Sequence, residues 1–211
     1  RALQTGTVFI AASEGALRCL LLPILEAFRS RYPGVRLRIS NHSTPQAIAA
    51  LHETTADFAV VTTPVQYIAS LLQTNVQNIQ EVAVCSPRFQ DMLDRVIPLA
   101  DLRKHPLITL GADTQSYAFY SAFFAAHDLP FRPDIEAFTA DQILPMVESG
   151  LGIGIIPKDF IRPSDKVCVI NLAEQFPPRS VCLVKRKDQP LSFAARELEK
   201  MIIESGKTVS D

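Results

Sequence analysis

A chain of 211 residues, 47% of them hydrophobic, with a formal net charge of −1, has apolar material for one globular unit or two small lobes and is not a disordered chain. The near-neutral balance excludes a piece that grips nucleic acid by itself, because phosphate binding needs clustered Lys and Arg. No apolar run approaches the ~20 residues that span a bilayer, and the start, RALQTGTVFIAAS, has no apolar run followed by a small-residue cleavage site, so no membrane span or signal peptide is expected.

The first element is the short apolar run TVFIAA (7–12), of strand character. A helix over 16–32 follows, with Leu17, Leu20, Leu21, Ile24, Leu25 and Phe28 at three- and four-residue steps. Pro23 inside it predicts a kink, and YPG (32–34) predicts the stop. In VRLRISN (35–41) Val35, Leu37 and Ile39 alternate with Arg36, Arg38 and Ser40, the pattern of a half-exposed strand. Thr44 as cap and Pro45 as first residue predict a short helix to His52. DFAVVT (57–62) reads as a buried strand. Strand, helix, strand, helix, strand implies a parallel sheet with right-handed crossovers.

The order then repeats. EVAVCS (81–86) and PLITL (106–110) read as strands, with a short helix over 87–93 between them. A helix near 117–127, the strand IEAFT (135–139) and a helix over 140–149 follow, the last opened by the Thr139–Gln142 capping box. GIGIIP (152–157), SVCLVKRK (180–187) and a helix over 191–204 complete the chain, giving two similar α/β lobes.

The glycines of SGLGIGIIP imitate a dinucleotide fingerprint, but that fingerprint needs strand, turn, helix, and here a helix precedes and a strand follows. Gly150 is expected to end the helix in a left-handed conformation, and Gly152 and Gly154 to allow close backbone packing. Cys19, Cys85, Cys168 and Cys182 are widely spaced, with no C-x-x-C and no zinc spacing. They are expected to be buried, reduced thiols.

The helix–glycine–strand stretch MVESGLGIGIIP resembles the V-x-x-G-x-G-I-x-x-x-P stretch of the effector-binding domain of LysR-type transcriptional regulators. LLLPILEAFRSRYPGVRLRI resembles that family's first regulatory helix and second strand, ADFAVV its D-x-A-I strand, and LADLRKHPLITL with Phe123-Phe124 the approach to its second lobe. The likeness runs over about residues 6–205. It implies two Rossmann-like lobes of the periplasmic-binding-protein type II kind, linked by two crossover strands near 76–80 and 172–179. Lobe I would then be 1–76 plus 179–211 and lobe II 77–178. It also implies a small-molecule effector in the interlobe cleft. With the two crossovers as hinges, the angle between the lobes is expected to change on binding, and the wide spacing of the cysteines, read as reduced thiols, fits a cytoplasmic location. The implied homodimer is antiparallel, pairing helix 16–32 with helix 116–128 of the other chain, and the full-length protein is a tetramer. The aromatic residues Tyr117, Phe119, Tyr120, Phe123 and Phe124 spread around helix 116–128, wider than a one-sided stripe, which fits burial in the lobe or cover by a partner. Family members begin with a winged helix-turn-helix, which nothing before Thr7 matches; DNA contact is expected only through that missing domain.

Ligands of open α/β sheets bind beyond the carboxyl ends of the strands. The candidates there are Ser13, Glu14 and Gly15 after the first strand, Ser43 and Thr44 after the second, Thr62 and Thr63 after the third, Gly111 and Ser116 after PLITL, Thr139 after IEAFT, and Pro157 after GIGIIP. Helix starts at these places favour an anion, so a carboxylate-bearing metabolite is the expected effector. Ser13, Thr44, Ser116 and Thr139 are equally adequate as helix caps. Glu14, Asp113 and Asp141 are solvated or select a ligand with amine or hydroxyl groups, and His42 and Lys158 are the candidate cations. No G-x-S-x-G, H-E-x-x-H or metal-ligand spacing occurs. Catalysis and cofactors are therefore not expected. A transport solute-binding protein, which shares the implied fold, is the alternative reading.

Overall fold

The computed structural model describes residues 5–207, and expectations touching residues 1–4 and 208–211 lie outside it. The chain divides into two units. Unit 1 takes the residues up to Asn78 and those from Arg179 onward, and unit 2 takes Ile79–Pro178.

Unit 1 is built on a five-stranded sheet in the order β2 (Val35–Asn41), β1 (Gly6–Ala12), β3 (Phe58–Thr62), β10 (Arg179–Arg186), β4 (Leu71–Ile79). The first three strands are parallel, and β10 runs antiparallel to β3. Of β4, only the end was expected, as a crossover strand near 76–80; the strand begins earlier, at Leu71. Its sequence LLQTNVQNI lacks apolar alternation because it lies at the sheet's edge, where polar side chains meet water.

The first helical stretch starts as α1 (Glu14–Ala16), widens into a π turn at Leu17–Leu21, and continues as α2 (Leu22–Arg31). The expected kink at Pro23 is thus realised as a wide turn just ahead of it. Pro23 has no N–H for the Cys19 carbonyl four residues back, and Gln77 Nε2 donates to that oxygen instead, at 3.3 Å. α3 (Thr44–His52) and α6 (Phe193–Lys207) complete the unit. Leu51, Ala59, Val61, Leu71 and Val184 share an aliphatic core.

Unit 2 repeats the plan with the order β7 (Ile135–Ala137), β6 (Leu107–Leu110), β8 (Ile153–Pro157), β5 (Glu81–Cys85), β9 (Cys168–Val169). β6, β7 and β8 are parallel; β5 is antiparallel to both β8 and β9. The short helix expected over 87–93 is only a 3-10 turn at Gln90–Met92, anchored by buried Met92, since a stretch this short closes with i→i+3 bonds. The helix expected from Ala140 opens as a 3-10 turn (Ala140–Gln142) before α5 (Ile143–Glu148). Pro145 cannot donate to the Asp141 carbonyl, so the first turn tightens.

The helix–glycine–strand stretch closes on backbone geometry. Gly150 has φ +81°, its N–H donates to Val147 O at 2.9 Å, and Leu151 N–H reaches Met146 O at 3.1 Å, the paired bonds of a left-handed helix stop. A Cβ on Gly152 would lie 2.3 Å from the Pro106 carbonyl oxygen, and one on Gly154 2.8 Å from methyls of Ile143 and Val147. Gly154 thus lets β8 pack against α5, and Gly152 lets its start approach the backbone just ahead of β6.

The aromatic helix is α4 (Gln115–Ala126). Its rings are mostly consumed within unit 2: Tyr120, Phe123 and Phe124 are buried and Phe119 packs on the same core, while Tyr117 meets Phe131 edge-on at 5.0 Å. Phe131 and Phe176 arrive from other segments and cover the sides of the helix. The exposed face carries Ala118, Ala122 and Ala125, so the aromatics do not form an outward surface. Cys85 and Cys182 are buried, whereas Cys19 and Cys168 are half-buried, contrary to the expectation for all four; all are free thiols.

Candidate functional site

In unit 1 the parallel strands β1, β2 and β3 end on one edge of the sheet, and antiparallel β10 begins there. Ser13 heads α1 with Oγ accepting from Ala16 N at 3.2 Å. Gly15 lets the helix start approach β3, since a Cβ would sit 3.0 Å from Thr62 Cγ2. Ser43, not Thr44, caps α3. Its Oγ accepts from Gln46 N at 3.4 Å and its N–H donates to Gln46 Oε1 at 3.0 Å. Thr44 is one residue inside and buried, and its hydroxyl is used elsewhere, donating to Thr62 O at 3.0 Å.

Arg179 joins this edge and was not among the sequence candidates. It is 2% exposed, with Nε donating to Thr63 O at 2.8 Å and Nη2 donating to Thr62 Oγ1 at 3.3 Å. Thr63 Oγ1 accepts from Ser180 N at 2.9 Å. The only sequence signal was an arginine directly ahead of an apolar run, in PPRSVCLV. The antiparallel register of β10 brings the start of that strand, 117 residues on, to Thr62 and Thr63. Ser13, Gly15, Ser43, Thr44, Thr62 and Thr63 therefore belong to one edge, together with Arg179. Glu14 is half-buried beside them, in the first turn of the helix.

The same edge of unit 2 holds Gly111, Thr139 and Pro157 at the ends of β6, β7 and β8, with Ser116 at the head of α4. Thr114, not Ser116, caps α4, because Thr114 Oγ1 accepts from Tyr117 N at 3.2 Å while donating to Gly111 O at 2.8 Å. That bond pair pulls the cap two residues earlier and leaves Ser116 in the first turn. Thr139 keeps its expected capping box with Gln142 and also bonds Asp141 Oδ1. Pro157 pairs with Glu81, the first residue of β5. Glu81 is 1% exposed and accepts from the Tyr120 hydroxyl at 2.8 Å. Neither was a sequence candidate, nor was Phe138, which is 91% exposed at the end of β7. Periodicity gives no sign that Phe138 points outward.

Of the two expected cations, Lys158 is exposed just past β8. His42 lines a groove of about 520 Å³ in unit 1 with Phe9, Arg38 and Asp57. Burial pushes the Cys85 thiol up to about 11 and the Cys182 thiol up to about 12, so neither supplies a thiolate nucleophile near neutral pH. Among the described residues, no three His, Cys, Asp or Glu side chains are grouped so as to hold a metal ion. What the edges offer is hydrogen bonding: hydroxyls, first-turn N–H groups and charged side chains held on strand ends.

The family model of the LysR substrate binding domain matches residues 1–207. The chain belongs to this family. This LysR substrate-binding domain is 32% identical over 154 residues to the HTH-type transcriptional regulator CysB of Burkholderia cenocepacia, covering 72% of this chain and 48% of CysB. It spans about half the length of that relative and of CysB from Haemophilus influenzae, of which 47% is covered. Among solved structures, the effector binding domain of QuiR in complex with shikimate superposes with a TM-score of 0.86 at 16% identity, covering 97% of this chain and 98% of that one. The regulatory domain of CcmR from Synechocystis, in complex with 2-PG, gives 0.85 at 15% identity, with 96% and 98% covered. At such identities the likeness is one of fold, the two-lobed α/β architecture of the periplasmic-binding-protein type II kind. Among the described residues no helix is long and apolar enough to cross a membrane.

Proposed function

We propose that this LysR substrate-binding domain is the effector-sensing part of a cytoplasmic transcriptional regulator. It receives a small carboxylate-bearing metabolite without transforming it and acts on DNA through a winged helix-turn-helix outside this stretch of sequence. The observation that carries the reading is the unit 1 edge, where Ser13, Thr44 and Thr62 meet the helix starts and a buried arginine. First-turn N–H groups and a guanidinium both favour an anionic ligand. The corresponding edge of unit 2 carries a comparable set of polar groups, at Gly111, Ser116, Thr139 and Pro157. The transport alternative is not favoured, since the relatives that match are named as transcriptional regulators.

Thermal-shift screening against a panel of small organic acids tests this reading. A ligand at a hundred times its Kd adds about 2.7 kcal/mol to the folded state, and Ser13→Ala or Thr62→Val should reduce that increment. A flat panel would sink the proposal, as would consumption of the compound.

The reading includes self-association through helices 16–32 and 116–128, and a tetramer for the full-length protein. The alanine face of α4 is the surface left for a partner helix. Sedimentation of the domain should show a dimer that Ala122→Glu splits into folded monomers. A wild-type species at 23.3 kDa would end this part of the proposal.

A further inference from the structure

Two cysteines that lie 83 residues apart in sequence become direct neighbours in the sheet of unit 2. β5 and β9 run antiparallel, and Cys85 stands opposite Cys168 in their register. Directly opposite residues of an antiparallel pair carry their side chains on one face, with Cα atoms about 4.5–5.5 Å apart. A disulfide spans Cα separations of about 4.4–6.8 Å, so the backbone spacing already suits one. Its Cβ atoms must come within about 3.5–4.5 Å, closer than most cross-strand pairs, and one strand has to move in. β9 can do so. It is two residues long, lies at the edge of the sheet and is paired on one side only.

The two thiols differ in access. Cys85 is fully buried and Cys168 half-buried. Burial, with Cys168 beside it, keeps Cys85 protonated near neutral pH. Cys168 is therefore the sulfur an oxidant meets first. Cys19 and Cys182 have no such arrangement: Cys182 is buried in the core of unit 1, with its thiol on Val61 O at 3.6 Å, and Cys19 lies in the π turn of the first helix.

We propose that Cys85 and Cys168 form an oxidisable dithiol whose substrate class is a hydroperoxide. Cys168 Sγ, as thiolate, attacks the outer peroxide oxygen. An S–O bond forms, the O–O bond breaks, and the departing alkoxide or hydroxide takes a proton to leave as alcohol or water. Cys85 Sγ attacks the sulfenic sulfur of Cys168 only as its own proton passes to the sulfenic oxygen, so that no standing Cys85 thiolate is needed. The S–S bond forms, the S–O bond breaks, and hydroxide leaves as water with the Cys85 proton. Two electrons pass from the thiol pair to the peroxide. The product ties β9 to β5, and so fixes the middle of the 158–178 segment by which the chain leaves unit 2 for Arg179. Excess thiol reverses the bond by exchange.

The reduced 211-residue chain, treated with hydrogen peroxide, blocked with an alkylating agent and digested without reductant, tests the proposal. The expected product is a peptide joining Cys85 to Cys168, lighter by two hydrogens than its parts, with Cys19 and Cys182 alkylated as before. Dithiothreitol should abolish it. Cys168→Ser should remove the link and leave Cys85 unoxidised; Cys85→Ser should stop at a Cys168 sulfenic acid that dimedone traps. Because Cys85 is buried and its replacement can unfold the unit, Cys168→Ser is the deciding variant. Amide exchange of residues 166–171 should slow at least tenfold on oxidation and recover on reduction. Oxidation of Cys168 to sulfinic acid with Cys85 still a thiol would overturn the proposal, as would a link only between chains or unchanged exchange in the oxidised protein.

Discussion

The two units share a plan and fill it with different chemistry. Each sheet has three parallel strands followed by an antiparallel one, and in each the antiparallel strand begins at the carboxyl edge with a buried charged residue, Arg179 in unit 1 and Glu81 in unit 2. Unit 1 surrounds its charge with threonine oxygens, whereas unit 2 sets a tyrosine hydroxyl against its carboxylate. The strands differ too. β1 and β2 have seven residues each, but β6 has four and β7 three. Unit 2, with the shorter parallel strands, packs rings on them: Phe123 and Phe176 stand 4.4 Å apart and Tyr120 and Phe176 5.9 Å. One topology can therefore be held by longer strands over a mostly aliphatic core into which Phe28 and Phe58 are set, or by clustered rings on a short sheet.

The largest test of that contrast is Phe176→Ala. Removing a buried ring costs about 3–5 kcal/mol, and amide exchange should accelerate in unit 2 while β1, β2 and β3 keep their protection. Leu51→Ala, with a cost of about 2–5 kcal/mol, should do the converse in unit 1. Loss of protection throughout the chain from either change would show that the two cores are not independent.

A smaller effect is expected at the buried charge of unit 2. Tyr120→Phe leaves the Glu81 carboxylate one donor short, a loss of about 1–3 kcal/mol in urea denaturation. A neutral result would mean that the tyrosine serves through its ring alone.

The caps should come next. Ser13→Ala and Thr114→Ala each remove a hydroxyl that accepts a first-turn N–H, at about 1 kcal/mol apiece. Equal melting shifts for the two would indicate that capping is alike in both units.

The smallest effect lies in surface carboxylates. The His105 hydrogen bond holds Asp91 of unit 2 below its ordinary pKa, and the Arg186 hydrogen bond does the same for Asp188 of unit 1. A depressed carboxylate contributes stability above its unfolded pKa, near 4, and loses it as pH falls through the folded value. Carboxyl NMR titration should place both groups below the ordinary range. His105→Ala should return Asp91 alone to it.

Local rules read well where a pattern is confined to one segment. The strand run at Thr7–Ala12, the stop at YPG, the capping box at Thr139 and the left-handed Gly150 depend on neighbours within a few residues, and composition and spacing carry that information. The start of β4 was missed because an edge strand needs no apolar alternation; only the resemblance placed a crossover strand near 76–80. The caps at residues 44 and 116 were misplaced because residues one and two positions earlier, Ser43 and Thr114, suit the role as well; the competition is decided by where the Thr44 hydroxyl finds the Thr62 carbonyl and where Thr114 meets Gly111.

By itself, the sequence determined two α/β lobes and an architectural role for the glycines, because hydrophobic period and turn chemistry act along the chain; the family entered only as a resemblance of motifs. Only the tertiary structure brought Arg179 to Thr62, Glu81 to Tyr120 and Cys85 to Cys168. It likewise turned the aromatics of α4 inward onto Phe131 and Phe176. The physical reason is strand register: an antiparallel pairing makes neighbours of residues that no local period relates, and burial then decides which of their polar groups must find a partner.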